Sequence, residues 1–278
     1  MTVVTVTCPP ASFPPNSEVD TMNVFVFDIE TIPDIDGARR LYDLHGLSDE
    51  DVARAVFHKR RQEANTEFLR HHLHRIVAIS AVLATPERFK VWSLGDETAD
   101  EQDLLQRFYG GIERYTPRLV SWNGGGFDLP VIHYRSLLYP INAERYWDSG
   151  QHDSNFRYNN YLSRYHERHT DLMDVLAAYQ PRAAVRLDEI ATLCGFPGKM
   201  GMDGSKVWET WLKGDIKAIR DYCETDVLNT YLVYLNWERN RGNYDEARYQ
   251  QLCQQVRDEL KNSAQPHLLE FEKSWIDR

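Results

Sequence analysis

The distribution of apolar and polar residues predicts strands first. Residues 23–28, NVFVFD, are β-branched or aromatic at most positions, which is typical of a buried strand. Two more strand-like runs, residues 75–85 and 88–95, flank a Pro-Glu pair, so we predict a hairpin. A short strand, RLVSWN, is predicted at residues 118–123 and is followed by glycines.

Apolar residues at helical spacing separate and follow these strands. Residues 36–72 are mostly charged and fit this spacing, and further helices are predicted at about 99–115, from Phe127, near 170–179, 187–194 and 214–238, and at 243–262. The order predicts an α/β fold whose mixed sheet has three antiparallel strands and at least one parallel strand, flanked by helices. A ribonuclease H-like fold has this order, and pattern alone leaves other α/β folds open.

The chain divides into three parts by composition. Residues 1–22 are rich in Pro, Thr and Ser, and we expect a mobile tail; the alternative is that the natural start is Met22. We expect one domain over residues 23–238 and a helical extension over 239–278 that packs on the same domain.

Charge and cysteine content narrow the function classes. The net charge of −10 argues against non-specific coating of duplex DNA, since phosphate neutralisation needs an excess of Lys and Arg. The four cysteines are scattered without a CxxC pair, so neither a zinc knuckle nor a disulfide framework is expected. No apolar run has the length of a signal peptide or a membrane span, and we expect a cytoplasmic protein without membrane contact.

Two carboxylates follow the first strand. Asp28 and Glu30, in FDIETIP, are two residues apart, and side chains alternate along a strand, so both are predicted to point to one side. Like charges at the end of a buried strand are costly unless they are neutralised.

A second acidic residue follows a later strand. In VSWNGGGFDLPVI, residues 120–132, Gly124 to Gly126 permit a tight turn, and Asp128 opens a helix. Taken alone, the segment favours a helix cap as the role of Asp128.

A third group lies on a late helix. IRDYCETDVLNTYLVYL, residues 219–235, has apolar residues at helical spacing, and Tyr222 and Asp226 are four apart, on one face. Taken alone, Asp221, Glu224 and Asp226 also fit a solvated acidic face.

The three segments together, FDIET, WNGGGFDLPVI and YCETDVLNTYL, resemble the exonuclease motifs of the DEDD superfamily. The chain is most similar to the stand-alone 3′–5′ exonucleases related to the proofreading domain of family B DNA polymerases, over about residues 23–235. Asp221 stands five residues before Asp226, where another branch has His, so the tyrosine (DEDDy) branch is indicated.

The resemblance implies a metal-dependent active site. Its four carboxylates, Asp28, Glu30, Asp128 and Asp226, are hard oxygen ligands that suit two divalent cations, Mg²⁺ or Mn²⁺. Tyr222 is expected to orient the attacking water, because a tyrosine with an ordinary pKa is a poor base at neutral pH.

Further site residues are carried over from the resemblance. Asn123 and Phe127 are expected to contact the 3′-terminal nucleotides. Lys199 is a candidate neighbour of the scissile phosphate, although a lysine flanked by glycines is also an ordinary loop residue. Asp171 is expected to cap a helix, and Asp174 to lie on the surface.

The function implied is 3′–5′ hydrolysis of single-stranded nucleic acid, with DNA favoured and nucleoside monophosphates released. The alternatives are a 3′–5′ exoribonuclease and a non-catalytic nucleic-acid or protein-binding module on the same fold. A polymerase or a repair protein is a candidate partner, because the acidic chain offers little basic surface of its own.

Two weaker segments carry open interpretations. Residues 155–169 interleave aromatic residues with arginines, which fits a single-strand path or an amphipathic element with buried rings. Residues 54–75 hold six Lys or Arg, two Glu and four His, and a solvated helix face is favoured over a basic rim or a zinc site.

Overall fold

The computed structural model describes residues 22–276, so the predicted tail lies outside it except for Met22. Its sheet has five strands in the spatial order β3-β2-β1-β4-β5. In chain order the strands are β1 (Val24–Pro33), β2 (His74–Ala84), β3 (Phe89–Ser93), β4 (Arg118–Ser121) and β5 (His169–Asp171).

The strand pairing is mixed. β1 pairs antiparallel with β2, which pairs antiparallel with β3. On its other side β1 pairs parallel with β4, which pairs parallel with β5. The predicted arrangement of three antiparallel strands and at least one parallel strand is therefore confirmed, and the fold is α/β and ribonuclease H-like, as expected.

Helices flank the sheet throughout the described residues. In chain order they are α1 (Ile35–Tyr42), α2 (Asp49–Ala64), α3 (Glu101–Tyr115), α4 (Asp128–Ser136), α5 (Glu144–Trp147), α6 (Leu172–Leu176), α7 (Leu187–Leu193), α8 (Val207–Leu212), α9 (Ile216–Asn240), α10 (Glu246–Asn262) and α11 (Pro266–Ser274).

Two predicted helical stretches are corrected. The helical run predicted over 36–72 is interrupted after α1 and again at Asn65, a C-cap with φ of 53° that ends α2. The helix predicted near 170–179 starts later, because residues 169–171 first pair with β4 as β5. Three residues are too few to show a strand period, which is why this strand was not predicted.

β1 separates the two halves of the core. Phe25 and Phe27 pack toward α3 and α4, whereas Val24 and Val26 pack toward α9. The alternation continues past the apolar run, so Asp28 and Glu30 share the face of β1 that looks toward α9.

The C-terminal helices join the α9 side of this core. Val256 of α10 and Phe271 of α11 are both fully buried in the cluster that contains Val227 of α9. No helix within residues 22–276 combines the length and the apolar character that a bilayer crossing requires.

Candidate active site

The first two carboxylates stand where β1 meets α9. Glu30 is buried and Asp28 is half-buried. Cys223 of α9 lies against them, with its Sγ 3.4 Å from the Asp28 carbonyl oxygen and 3.5 Å from Asp28 Oδ2. One ligand atom from each of these three residues fits within 4.8 Å of the others, which is compact enough to hold a cation.

A tight turn after β4 brings Asp128 to the same place. Asn123 has a φ of 63°, in the left-handed region that asparagine tolerates. A Cβ at Gly124 would collide with the Ser121 side chain, so only glycine fits there. Asp171, at the end of β5, fixes the turn, since its carboxylate accepts the N–H groups of Asn123 at 2.9 Å and Gly125 at 2.8 Å.

Asp128 is turned toward β1. It is the first residue of α4, after Phe127 as N-cap, and its Oδ1 accepts the Ile29 backbone N–H at 3.1 Å. Burial raises the pKa of Asp128 to about 7, although hydrogen bonds from its own N–H and from Ile29 oppose the shift. The Asp128 side chain therefore links the turn to the acidic strand, and the interpretation of Asp128 as the helix cap is wrong.

α9 supplies the third part of the site. Its buried face carries Ile219, Cys223 and Val227, as the spacing predicted. Tyr222 and Asp226 lie together on the neighbouring face, and the tyrosine hydroxyl interacts with the carboxylate. Burial, followed by the charge of Asp226, raises the pKa of Tyr222 far above its ordinary value, so this hydroxyl keeps its proton.

The four carboxylates act on one another electrostatically. Burial raises the pKa of Asp28 well above its ordinary value, and the other three carboxylates raise it further. Burial likewise raises the pKa of Glu30, with Asp226 and Asp128 adding to the shift, and it raises the pKa of Asp226 to about 7. Four acids from three separate segments are thus close enough to repel one another.

The nearby basic side chains are already paired with other acids. Lys199 Nζ lies 2.9 Å from Asp203, and Arg186 Nε lies 3.0 Å from Asp188. Lys199 lowers the pKa of Asp226 only as a minor effect after burial. Hard oxygen donors with an uncompensated buried charge fit divalent cations well.

Two cavities adjoin the carboxylates. The first, of about 350 Å³, is lined by Asp28, Asp128, Tyr222 and Asp226. The second, of about 600 Å³, begins at Glu30 and runs between the α2 side of the molecule and α8. Phe127 and Gly204 line both, so they form the boundary between the two cavities.

The second cavity has aromatic walls. The Phe127 ring lies 5.2 Å from the Phe68 ring and 5.0 Å from the His74 ring, measured between centroids. Phe57 and Trp208 add to the apolar lining. Aromatic walls suit stacking of a flat aromatic group such as a nucleobase.

The structure brings the residues singled out in the sequence around the first cavity. Asn123, Phe127 and Lys199 line it beside the acids and Tyr222. Glu30 lines the second cavity instead, so three of the four carboxylates line the first cavity and one lines the second.

Two contributors to the site were not predicted. Asp171 caps α6, as expected, and accepts the Asp174 N–H at 3.4 Å. The hydrogen bonds by which Asp171 holds the glycine turn have no signal in the sequence. Cys223 was assigned only to the apolar face of α9, although its place three residues before Asp226 is a usable hint. Asp174 is half-buried and paired with Arg164 at 2.7 Å, so the expectation of a surface position is only partly right.

Residues 155–169 and residues 54–75, whose roles the sequence left open, each contain both buried and exposed side chains. In residues 155–169, Phe156 and Tyr161 are buried in the core, whereas Tyr158 is 83% and Tyr165 71% exposed. In residues 54–75, Lys59 and Arg61 form ion pairs on the surface. His74 is buried, and its ring nitrogens lie 2.8 Å from Thr31 Oγ1 and 3.2 Å from the Leu69 carbonyl oxygen.

The chain is similar to a known protein family and to a known protein. A family model described as a predicted 3′–5′ exonuclease related to the exonuclease domain of PolB matches residues 66–275. The chain is also 24% identical over 139 residues to a DNA polymerase of Archaeoglobus fulgidus. That match covers 49% of this chain and 17% of the polymerase. The family match includes Asp128, Tyr222 and Asp226 but begins after Asp28 and Glu30, whose place in the site follows from the geometry.

Proposed function

The chain belongs to the family of predicted 3′–5′ exonucleases related to the exonuclease domain of PolB, and we propose that it hydrolyses the 3′-terminal phosphodiester bond of single-stranded nucleic acid. DNA is the favoured substrate, since the matched relative is a DNA polymerase. The products are a nucleoside 5′-monophosphate and a chain shortened by one nucleotide.

The convergence of four carboxylates carries this proposal. Asp28 and Glu30 come from β1, Asp128 from the start of α4 and Asp226 from α9. The charges of Asp128 and Asp226 raise the pKa of both Asp28 and Glu30. A fold gains no stability from crowding four buried acids, so their arrangement is better explained by a ligand of opposite charge.

Divalent cations are the ligand that these donors fit. Asp28, Glu30, Asp128 and Asp226 would hold two of them, Mg²⁺ or Mn²⁺. When bound, the cations supply an activated water and charge stabilisation for the departing oxygen.

The side chains of the protein bind and orient the reactants. The aromatic cavity beside Glu30 receives the terminal nucleoside, with Phe127 stacking against its base. Tyr222 keeps its proton and donates a hydrogen bond to Asp226, and its hydroxyl oxygen accepts a hydrogen bond that aligns the attacking water. The water oxygen bonds to phosphorus, the bond from phosphorus to the 3′ oxygen breaks, and that oxygen takes up a proton.

The test is hydrolysis of 5′-labelled oligonucleotides, DNA beside RNA, with Mn²⁺ or with EDTA. We expect a ladder of successively shorter 5′-labelled products, formed only with Mn²⁺ and faster on DNA. Faster hydrolysis of RNA would assign an exoribonuclease instead. No hydrolysis of either strand with Mn²⁺ or Mg²⁺ would contradict the proposal and favour a binding module.

A further inference from the structure

Aromatic and basic side chains form a surface beside the segment that leads to the first cavity, which we name the tyrosine–arginine surface and define by Arg164, Tyr165 and Tyr179. Arg164 and Tyr165 are exposed, and Tyr179 is half-buried. The Arg164 guanidinium lies 5.0 Å from the Tyr179 ring centroid and 5.8 Å from that of Tyr165. The two rings are 5.1 Å apart, edge to face.

The loop that carries this surface is held by internal hydrogen bonds. The Asn160 side chain accepts the N–H groups of Leu162 and Ser163, each at 3.1 Å. The Asn159 side chain accepts the Arg168 N–H at 3.0 Å. The exposed Tyr165 ring is thus presented by a fixed backbone, which lowers the entropy lost when a ligand stacks on it.

A short segment joins this surface to the carboxylates. Arg164 pairs with Asp174 at 2.7 Å, and the preceding residue, Met173, lines the first cavity. Val185, six residues after Tyr179, also lines that cavity and is 44% exposed.

Guanidinium groups accompany these rings. Arg164, in contact with both rings, is exposed although it also pairs with Asp174, and Arg157 and Arg182 are exposed at nearby positions of the sequence. Alternating rings and guanidinium groups match the alternating bases and phosphates of a single strand.

We propose that the tyrosine–arginine surface binds the single strand upstream of the cleaved nucleotide, with bases stacked on Tyr165 and Tyr179 and a phosphate near Arg164. This inference rests on the proposed exonuclease function and extends it beyond the terminal nucleotide. It predicts that contact with the surface raises kcat/KM for long substrates, whereas very short substrates do not reach the surface.

The experiment compares hydrolysis of dT12 and dT3 by wild type and by two variants. The first combines Tyr165→Ser with Tyr179→Asn, because Tyr179 has a φ of 59° that asparagine accepts without strain. The second is Arg164→Ala. Its matched control is Arg114→Ala at the end of α3, where the guanidinium also stacks on a tyrosine, Tyr115, at 5.1 Å.

We expect the tyrosine double variant to lose about tenfold or more in kcat/KM on dT12, and less than about twofold on dT3. Arg164→Ala should show a smaller loss in the same direction, and the control should match wild type on both substrates. An unchanged rate on dT12, or an equal loss on dT3, would overturn the inference.

Binding of fluorescent dT12 in EDTA, followed by anisotropy, separates this inference from the exonuclease proposal. Weaker binding by the double variant, with the control unchanged, would support the surface even if wild type hydrolysed nothing. Absence of binding by wild type, or equal binding by wild type and the double variant, would overturn it and leave a protein as the remaining class of occupant.

Discussion

Asp128 accepts a hydrogen bond from the Ile29 backbone N–H at 3.1 Å, across 99 positions of sequence. Ile29 lies between Asp28 and Glu30, so this one bond sets the distance between the acidic strand and the acid after the glycine turn. The carboxylate cluster is therefore built into the backbone packing of β1 and α4, and its acids are not free to move apart.

The charge crowding predicts an unusual effect of neutralising Asp128. In EDTA at pH 8, Asp128→Asn should raise the unfolding temperature, because it removes one of four repelling charges and keeps an oxygen for the Ile29 N–H. In Mn²⁺ the wild type should have the higher unfolding temperature, because its four carboxylates bind the cation more tightly than the three of the variant do. Thermal unfolding of both proteins in both buffers is the measurement, and a variant less stable than wild type in EDTA would contradict the repulsion.

Asp171 is predicted to be a positioning residue. Asp171→Asn offers one oxygen where two N–H groups are now accepted, and the loss of a charge-assisted bond costs about 1.5–3 kcal/mol. We expect a lower unfolding temperature and a fall in kcat of about tenfold or more.

The control for that variant is Asp100→Asn, at the N-cap of α3. Asp100 accepts the Asp103 N–H at 2.8 Å and lies outside both cavities, so its variant should lose stability without a matching loss of kcat per folded molecule. Equal falls in activity for the two variants would show that Asp171 acts only through stability.

Tyr222→Phe should slow turnover more than it weakens binding of nucleic acid. The hydroxyl donates to Asp226 and stays protonated, so its loss removes the acceptor that holds the water and leaves the ring in place. Single-turnover rates in Mn²⁺ and affinities in EDTA give the two quantities. A parallel fall in both would argue for a binding role instead.

His169 predicts part of the pH dependence of stability. Burial lowers the pKa of His169 to about 4, and its Nε2 lies 2.8 Å from Ser121 Oγ. The unfolded chain takes up this proton near pH 6.5 and the folded chain only near 4, so stability is lost as the pH falls through that window.

The variant His169→Gln keeps a hydrogen-bonding group but does not titrate. The stability of wild type relative to this variant should fall by about 3 kcal/mol between pH 7 and pH 4. Urea unfolding at a series of pH values measures it, and a constant difference would mean that His169 does not resist protonation in the fold.

The sequence predicts those parts of the fold that depend on local pattern. The apolar run of β1 and the spacing of Ile219, Cys223 and Val227 on α9 each identify an element over many residues. β5 is not predicted from the sequence, because three residues show no period and the strand is defined only by its pairing with β4.

The candidate site likewise has residues that the sequence marks and contacts that it does not mark. Asp28, Glu30 and Asp128 are marked by their place at strand and turn ends, which is visible in the sequence. The clamp of Asp171 on Asn123 spans 48 positions, and the contact of Cys223 with Asp28 spans 195. Such contacts arise from packing between distant segments, and no local pattern encodes them.

The most direct measurement of the central claim is the initial rate of Mn²⁺-dependent hydrolysis of a 5′-labelled single strand by Asp28→Asn and Asp226→Asn. The matched control is Asp221→Asn, on the same helix as Asp226 but paired with Lys217 at 2.6 Å and outside both carboxylate-lined cavities. We predict that both site variants fold and fall to background, while the control keeps most of the wild-type rate. Undiminished hydrolysis by either site variant would contradict the account.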